Sequence, residues 1–254
     1  MCRARANLDG EIRCLNYGRL TSLSLDPIEK KPLARFCPGS LILSAGSFGC
    51  NLNCGFCQNY GISMADGTAE TVSVTPEILV RKAKELIPKG NIGLAFTYNE
   101  PLIGYEFVYD CASLARENGL KTVLVTNGMI CFHPLKNLLP YIDAMNIDLK
   151  GFSEDFYKKL GGDLETVKNT IVLSSKSCHV EVTTLVIPGE NDSPGEMEKE
   201  AKWLASVDPD IPLHISRFFP RYRMLDKAPT SLETIYALRD TASQYLNYVY
   251  TGNC

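Results

Sequence analysis

Leu41-Ile42-Leu43-Ser44-Ala45-Gly46-Ser47-Phe48-Gly49-Cys50-Asn51-Leu52-Asn53-Cys54-Gly55-Phe56-Cys57-Gln58-Asn59 joins a short apolar run to a loop with three cysteines spaced C-x3-C-x2-C. The run LILSAGS (41–47) reads as a buried strand. In parallel α/β folds ligands gather where such a strand gives way to its loop. Three thiolates on one loop can hold three irons of a cubane 4Fe–4S cluster, whereas an electron-carrying cluster is closed by four. The remaining iron is then open to a substrate or cofactor. Two other readings stay beside this one: a zinc site completed by a remote ligand, and three cysteines that merely pack.

Outward from the loop, a strand–loop–helix pattern repeats. IGLAFTY (92–98), KTVLVTN (121–127), AMNIDLK ending at Lys150, HVEVTTLVI (179–187) and PLHISRFF (212–219) are apolar runs of strand length. Helices are expected between them. Thr75-Pro76 supplies an N-cap and a first-turn proline, Pro101 opens a helix that Gly119 ends, and a short helix follows from Pro134. Ser153 and Ser193-Pro194 cap two more, and Thr230 with Glu233 forms a T-x-x-E capping box for the last. NYVYTG (247–252) is a candidate terminal strand. Six β/α units with near-continuous apolar strands predict a parallel sheet covered by helices. A closed eight-unit barrel typically needs about 250 residues, so the expectation is an α/β fold built as a partial (β/α)6 TIM-like barrel. A doubly wound open sheet is the alternative. Residues 1–40 have too few apolar positions for their own core and read as a small N-terminal β-rich flap, leaving 41–254 as the barrel.

Composition narrows the function classes. The 254 residues are 45% hydrophobic and 22% charged, with a formal net charge of −3. That balance is globular. It offers no global basic field for a nucleic-acid backbone, which argues against nucleic acid as a partner. No run of 18 apolar residues exists to span a bilayer, and MCRARANLDGEIR lacks the apolar segment of a secretory signal, so the chain reads as cytoplasmic with no membrane partner. Ten cysteines in such a chain point to metal or catalysis before disulfides.

At this point the sequence resembles the radical SAM superfamily, whose cluster loop has this spacing. FTYNEP (96–101), VTNG (125–128), NIDLKGF (146–152) and TTLVIPGEND (183–192) are similar to segments of the pyruvate formate-lyase activating enzymes. The run from Tyr17 to Asn59, with TSLSLDPIEKKPLARFCPGS at its centre, resembles the radical SAM branch of the AmmeMemoRadiSam system. The resemblance implies Cys50, Cys54 and Cys57 as cluster ligands and Phe56 as the aromatic beside the adenine of S-adenosylmethionine (SAM). It implies that the turn Thr97-Tyr98-Asn99-Glu100 replaces the Gly-Gly-Glu motif that receives the methionine amino group. Asn127 falls in the family's Thr-Asn-Gly segment, and Val125 stands where activating enzymes often carry an aspartate that helps bind a monovalent cation. Asp148 and Lys150 match the segment that meets the ribose and carboxylate, and His214 lies in the strand that touches SAM.

The implied chemistry is reductive cleavage of SAM at a 4Fe–4S cluster to a 5′-deoxyadenosyl radical, which then abstracts hydrogen from a substrate. The implied partners are a one-electron reductant such as flavodoxin or ferredoxin and a protein substrate, a glycyl radical enzyme. Arg217, with Arg221 and Arg223 beyond it, is the expected substrate rim, since a guanidinium forks onto carboxylates. Two alternatives are a radical SAM enzyme acting on a small molecule or another macromolecule, and a non-catalytic Fe–S electron carrier. A fourth cluster cysteine would favour the last, and none lies near the loop.

Overall fold

The computed structural model describes residues 2–254. Eight strands form the main sheet: β4 (Ser22–Pro27), β5 (Leu41–Gly46), β7 (Asn91–Phe96), β8 (Lys121–Thr126), β9 (Ala144–Asp148), β10 (His179–Val186), β11 (Leu213–Arg217) and β12 (Val249–Gly252). Their order is β12-β11-β10-β9-β8-β7-β5-β4. All neighbours pair in parallel except β4, which runs antiparallel on the edge of β5. The sheet ends at β4 and β12 and does not close on itself. Six β/α units followed by one further strand make a partial barrel. Two small pairings flank it. The hairpin β1 (Arg5–Leu8) and β2 (Glu11–Cys14) turns at Asp9-Gly10, and β3 (Arg19–Leu20) meets β6 (Val72–Ser73).

The strands are apolar on both faces because both are covered. Leu43, Leu94, Leu124, Met145, Val182 and Ile215 face outward onto the helices. These are α2 (Pro76–Glu85), α3 (Tyr105–Glu117), α4 (Phe132–Leu138), α5 (Glu154–Leu160), α6 (Leu164–Ser174), α7 (Pro194–Val207) and α8 (Leu232–Ala242), while the four-residue α1 (Tyr60–Ser63) follows the cysteine loop. The caps read from sequence form at three of them: Thr75, Ser153 and Ser193 each accept a backbone N–H of the first turn. Alternate strand residues face inward. Ile42, Ala95, Val123 and Ala144 are among these, and beyond them, toward the loops, polar side chains take over.

The connection from β4 to β5 covers the barrel floor. Loop 28–40 leaves the edge strand, crosses the interior and returns. Ile28 and Leu33 are fully buried against Ala95, Val123 and Ala144. Pro32 offers its carbonyl to Asn146 Nδ2 at 2.8 Å. At the tip, Arg35 lies 3.6 Å over the Tyr248 ring next to the last strand.

Three expectations change in detail. The last helix is capped by Ser231, not Thr230: Ser231 Oγ accepts from Thr234 N, while the buried Thr230 turns its hydroxyl to the carbonyl of Val186 at 2.6 Å. Pairing a buried hydroxyl outranks the box one residue earlier. The helix opened by Pro101 begins as a 3-10 turn, Pro101–Gly104, before α3. The helix assigned from Pro134 starts at Phe132. No helix among the described residues is long and apolar enough to cross a membrane.

Candidate active site

The loops after β5, β7, β8, β9 and β11 converge at one end of the barrel on a cavity of about 1020 Å³. Each residue singled out from the sequence lines it: the three cysteines of the loop, Phe56, Tyr98, Asn99, Glu100, Asn127, Asp148, Lys150, His214 and Arg217. Arg223 is turned away, stacked 4.8 Å over the Tyr222 ring, with its N–H on the carbonyl of Gly55.

The cysteine loop is held from several sides. Asn53 N donates to Leu160 O at 2.8 Å, and Cys57 N to Cys54 O at 3.3 Å. Two N–H groups point at the Cys50 sulfur, Leu52 N at 3.4 Å and Asn127 Nδ2 at 3.6 Å. Burial pushes the Cys50 thiol up to about 12 and the Cys54 thiol up to about 11. Both therefore stay protonated until a cation replaces the proton. Three soft sulfurs line the cavity and no fourth cysteine does. Among the described residues no three His, Cys, Asp or Glu side chains converge on a single ion. The donor set therefore suits a cluster that gives each thiolate its own iron.

Opposite the loop, the turn after β7 carries three of the candidates. Tyr98 has φ +74°, a left-handed backbone where a glycine would be free of strain. The turn is held by Asn99, whose Oδ1 accepts from Ser47 N at 2.9 Å and whose Nδ2 donates to Gly49 O at 3.1 Å. Glu100 is buried and takes three donors: Leu102 N at 2.9 Å, Thr126 Oγ1 at 2.7 Å and Asn127 N at 2.7 Å. Burial pushes its carboxyl up to about 7 against the pull of those bonds. Its carboxylate thus braces two strand ends. Asn127 also donates to Asn51 Oδ1 at 2.8 Å, tying the end of β8 to the cysteine loop.

The remaining candidates stand on the later strands. Lys150 Nζ meets Asp148 Oδ2 at 2.6 Å. Burial opposes the charge on Lys150, but Asp148 outweighs it and holds the ammonium above its ordinary range. Phe56 stacks with Phe156 at 6.3 Å. Arg217 spends its Nε on Thr230 O at 2.6 Å, stacks its guanidinium 4.9 Å over the Phe219 ring and lines the cavity. His214 is bonded through Nε2 to Glu181 at 2.6 Å.

Sequence reasoning missed two groups. One is the pair Asp26, at the end of β4, and Lys31, on loop 28–40, which together hold Tyr98. Asp26 accepts from Lys31 Nζ at 2.9 Å and from the Tyr98 hydroxyl at 2.5 Å, while Lys31 lies 4.7 Å over the Tyr98 ring. The DPIEKKPL run held that signal. The other is Glu181, a charge inside the apolar run HVEVTTLVI, which a buried strand rarely carries unpaired.

The sequence profile of the radical SAM superfamily matches residues 46–202, the stretch that builds most of this cavity. The chain belongs to the radical SAM superfamily. Membership brings two cofactors, a 4Fe–4S cluster and SAM. The chain is 42% identical to the uncharacterized protein MJ0808 of Methanocaldococcus jannaschii, over 99% of this chain and 75% of that protein. It is 26% identical to the pyruvate formate-lyase-activating enzyme of Clostridium pasteurianum, over 63% of this chain and 67% of that enzyme. Among solved structures, a domain of a pyruvate-formate lyase-activating enzyme from Bacteroides vulgatus superposes with a TM-score of 0.55 at 19% identity. It covers 63% of this chain and 99% of that domain. This last likeness supports the fold alone.

Proposed function

We propose that this radical SAM protein abstracts hydrogen from a partner protein, as a glycyl-radical-enzyme activase does, with Cys50, Cys54 and Cys57 holding the cluster. The observation that carries the chemistry is the three thiols lining one cavity with the strand ends at Glu100, Asn127 and Asp148. When bound, the reduced cluster and SAM supply a 5′-deoxyadenosyl radical.

The chain's own residues do the rest. Leu52 N–H and the Asn127 amide steady the Cys50 sulfur. Asn99 and Glu100 hold the turn whose backbone meets the methionine end of SAM. The Asp148 carboxylate accepts from ribose hydroxyls, Lys150 pairs with the SAM carboxylate, and Phe56 lies against the adenine. His214 reaches the same ligand from β11. Arg217 orients an acidic group of the substrate at the rim. A flavodoxin or ferredoxin supplies the electron, in a reducing cytoplasm that suits ten free cysteines. The activase reading is supported by the similarity to the Clostridium pasteurianum enzyme. A second reading, a small-molecule substrate, is favoured by loop 28–40, which floors the barrel and makes the cavity a closed-ended pocket.

The test is anaerobic reconstitution. Iron and sulfide are counted, 5′-deoxyadenosine is measured with SAM and reductant, and paramagnetic resonance follows a glycyl radical in candidate partners. Cys54→Ala should lose the cluster and all SAM cleavage, while Cys111→Ala, buried between helix and sheet, keeps both. Full cleavage in Cys54→Ala would sink the cluster assignment. Cleavage coupled only to small molecules would replace the activase reading by the second.

A further inference from the structure

Glu181 faces into the barrel from β10 with no exposed surface, and the chemistry above gives it no task. Its two oxygens take four donors from three parts of the fold. Oε2 accepts from Ala34 N at 3.0 Å and from His214 Nε2 at 2.6 Å. Oε1 accepts from Arg35 N at 2.8 Å and from His179 Nε2 at 2.9 Å. Burial alone would raise this carboxyl, but the hydrogen bonds from both histidines and both amides outweigh it and hold the group down to about 2.

A carboxylate without a proton only accepts, so the imidazole nitrogens facing it carry hydrogen. A neutral imidazole donates at one nitrogen and accepts at the other. Among the described residues His214 Nδ1 has no hydrogen-bond partner, its one bond being through Nε2. It is not among the buried side-chain atoms left unpaired, which are Thr122 Oγ1 and Ser174 Oγ. It is therefore accessible, and the space that His214 lines is the large cavity. Tyr250 stacks on the ring at 5.2 Å and fixes its plane.

We infer that Glu181 is a positioning residue for the active site: it fixes His214 as the Nε2–H tautomer, so that Nδ1 accepts from a ligand hydroxyl, and it pins loop 28–40 as the floor beneath that ligand. The hydroxyl belongs to the SAM ribose, which rests on the placement of SAM proposed above. The arrangement resembles the carboxylate of a catalytic triad, which orients its imidazole without taking the proton. Here the same carboxylate also gathers two backbone amides, so the floor and the histidine share one anchor.

Three measurements test this. The chain has three histidines, so nitrogen-15 imidazole spectra can be assigned with His214→Ala and His179→Ala. In the protein without cofactors, His214 and His179 should both show the Nε2–H pattern, and a Nδ1–H pattern for His214 overturns the inference. Glu181→Leu removes both oxygens at similar size. It should release His214 into a tautomer mixture, speed tryptic cleavage at Arg35 at least tenfold and weaken SAM binding to the reconstituted protein about tenfold. Val182→Ala is the control, a core loss on the same strand that should move none of the three relative to its stability. Should Glu181→Leu not fold, Glu181→Gln serves, because its amide NH2 must face one of the two imidazoles and invert it. Unchanged spectra or unchanged Arg35 cleavage in the variant that folds refutes the clamp. If His214→Ala binds SAM like the parent, the placement of His214 at the cofactor fails, while spectra and cleavage still decide on the clamp.

Discussion

Glu200→Gln should flatten the dependence of stability on pH. Glu200 stands on α7, 1% exposed, with its carboxyl against the Thr184 hydroxyl. Thr184 has one hydrogen, and its Oγ1 also lies 3.0 Å from the carbonyl of Leu149. The network closes only if Glu200 is protonated and donates to Thr184, which then donates to Leu149. Burial, aided by the charge of Glu196, raises this carboxyl to about 8. A folded-state value above the unfolded one means that stability is full at low pH and falls as pH rises, up to the folded value. With an unfolded value of 4.5 and a folded value of about 8, the loss between pH 5 and pH 7 is on the order of 2–3 kcal/mol. Glutamine keeps the donor to Thr184 and cannot ionise. The assay is urea denaturation at several pH values, read by the fluorescence of Trp203, the chain's one tryptophan, which lies one turn along the same helix. The stability difference between variant and parent should shift by roughly 2–3 kcal/mol in the variant's favour from pH 5 to pH 7. Parallel curves would mean that Glu200 is not a neutral acid in the fold and that the donor assignment is wrong.

Other perturbations test other levels of the structure. An alanine methyl at Gly93 would lie 1.9 Å from the backbone oxygen of Lys121, inside the β7–β8 pairing. Gly93→Ala should cost at least the 1–3 kcal/mol, roughly, of ordinary overpacking, seen as loss of soluble protein or a large drop in melting temperature. Ser231→Ala removes the true cap of α8 and should cost about 1 kcal/mol, measured as faster amide exchange confined to that helix. Asp26 is held below the ordinary aspartate range, because Lys31 and the Tyr98 hydroxyl outweigh its burial. Its contribution is present above that ordinary range and lost as pH falls. Tyr98→Phe should destabilise by about 1 kcal/mol at neutral pH and show a shallower acid-side loss in urea titrations at pH 7 and pH 4.

The parallel barrel was legible because its strands are continuous apolar runs punctuated by Ser, Thr and Pro at helix starts. The C-x3-C-x2-C spacing pointed to the candidate site, since it puts three thiols on one loop, and all three line the cavity. What stayed hidden depended on partners far away in the chain. Nothing local marks Thr230 as bonded to Val186, so the T-x-x-E pattern misplaced the cap by one residue. Helix α6 follows α5 with only a tight turn between, and one predicted cap served for both. The DPIEKKPL run resembled its counterparts in other chains, yet its task depends on Tyr98 and Asn146, and that of the two residues after it on Glu181, which no periodicity links to them. The strained turn at Tyr98 is a further case. A tyrosine with φ +74° is held by its hydroxyl on Asp26 and by Asn99, not by any preference of its own.

The floor also sets an order of assembly. Ala34 bonds to a carboxylate 147 residues further along the chain. Contacts so distant in sequence form slowly, since a long loop must close before they contribute. During synthesis at about 5–20 residues per second, the loop emerges on the order of ten seconds before the strand that will fasten it. Ile28 and Leu33 spend most of that interval without Ala144, one of the residues that later bury them. An N-terminal segment that resembles a decorative flap is thus secured long after it is made. That interval leaves apolar surface uncovered, the condition that favours aggregation.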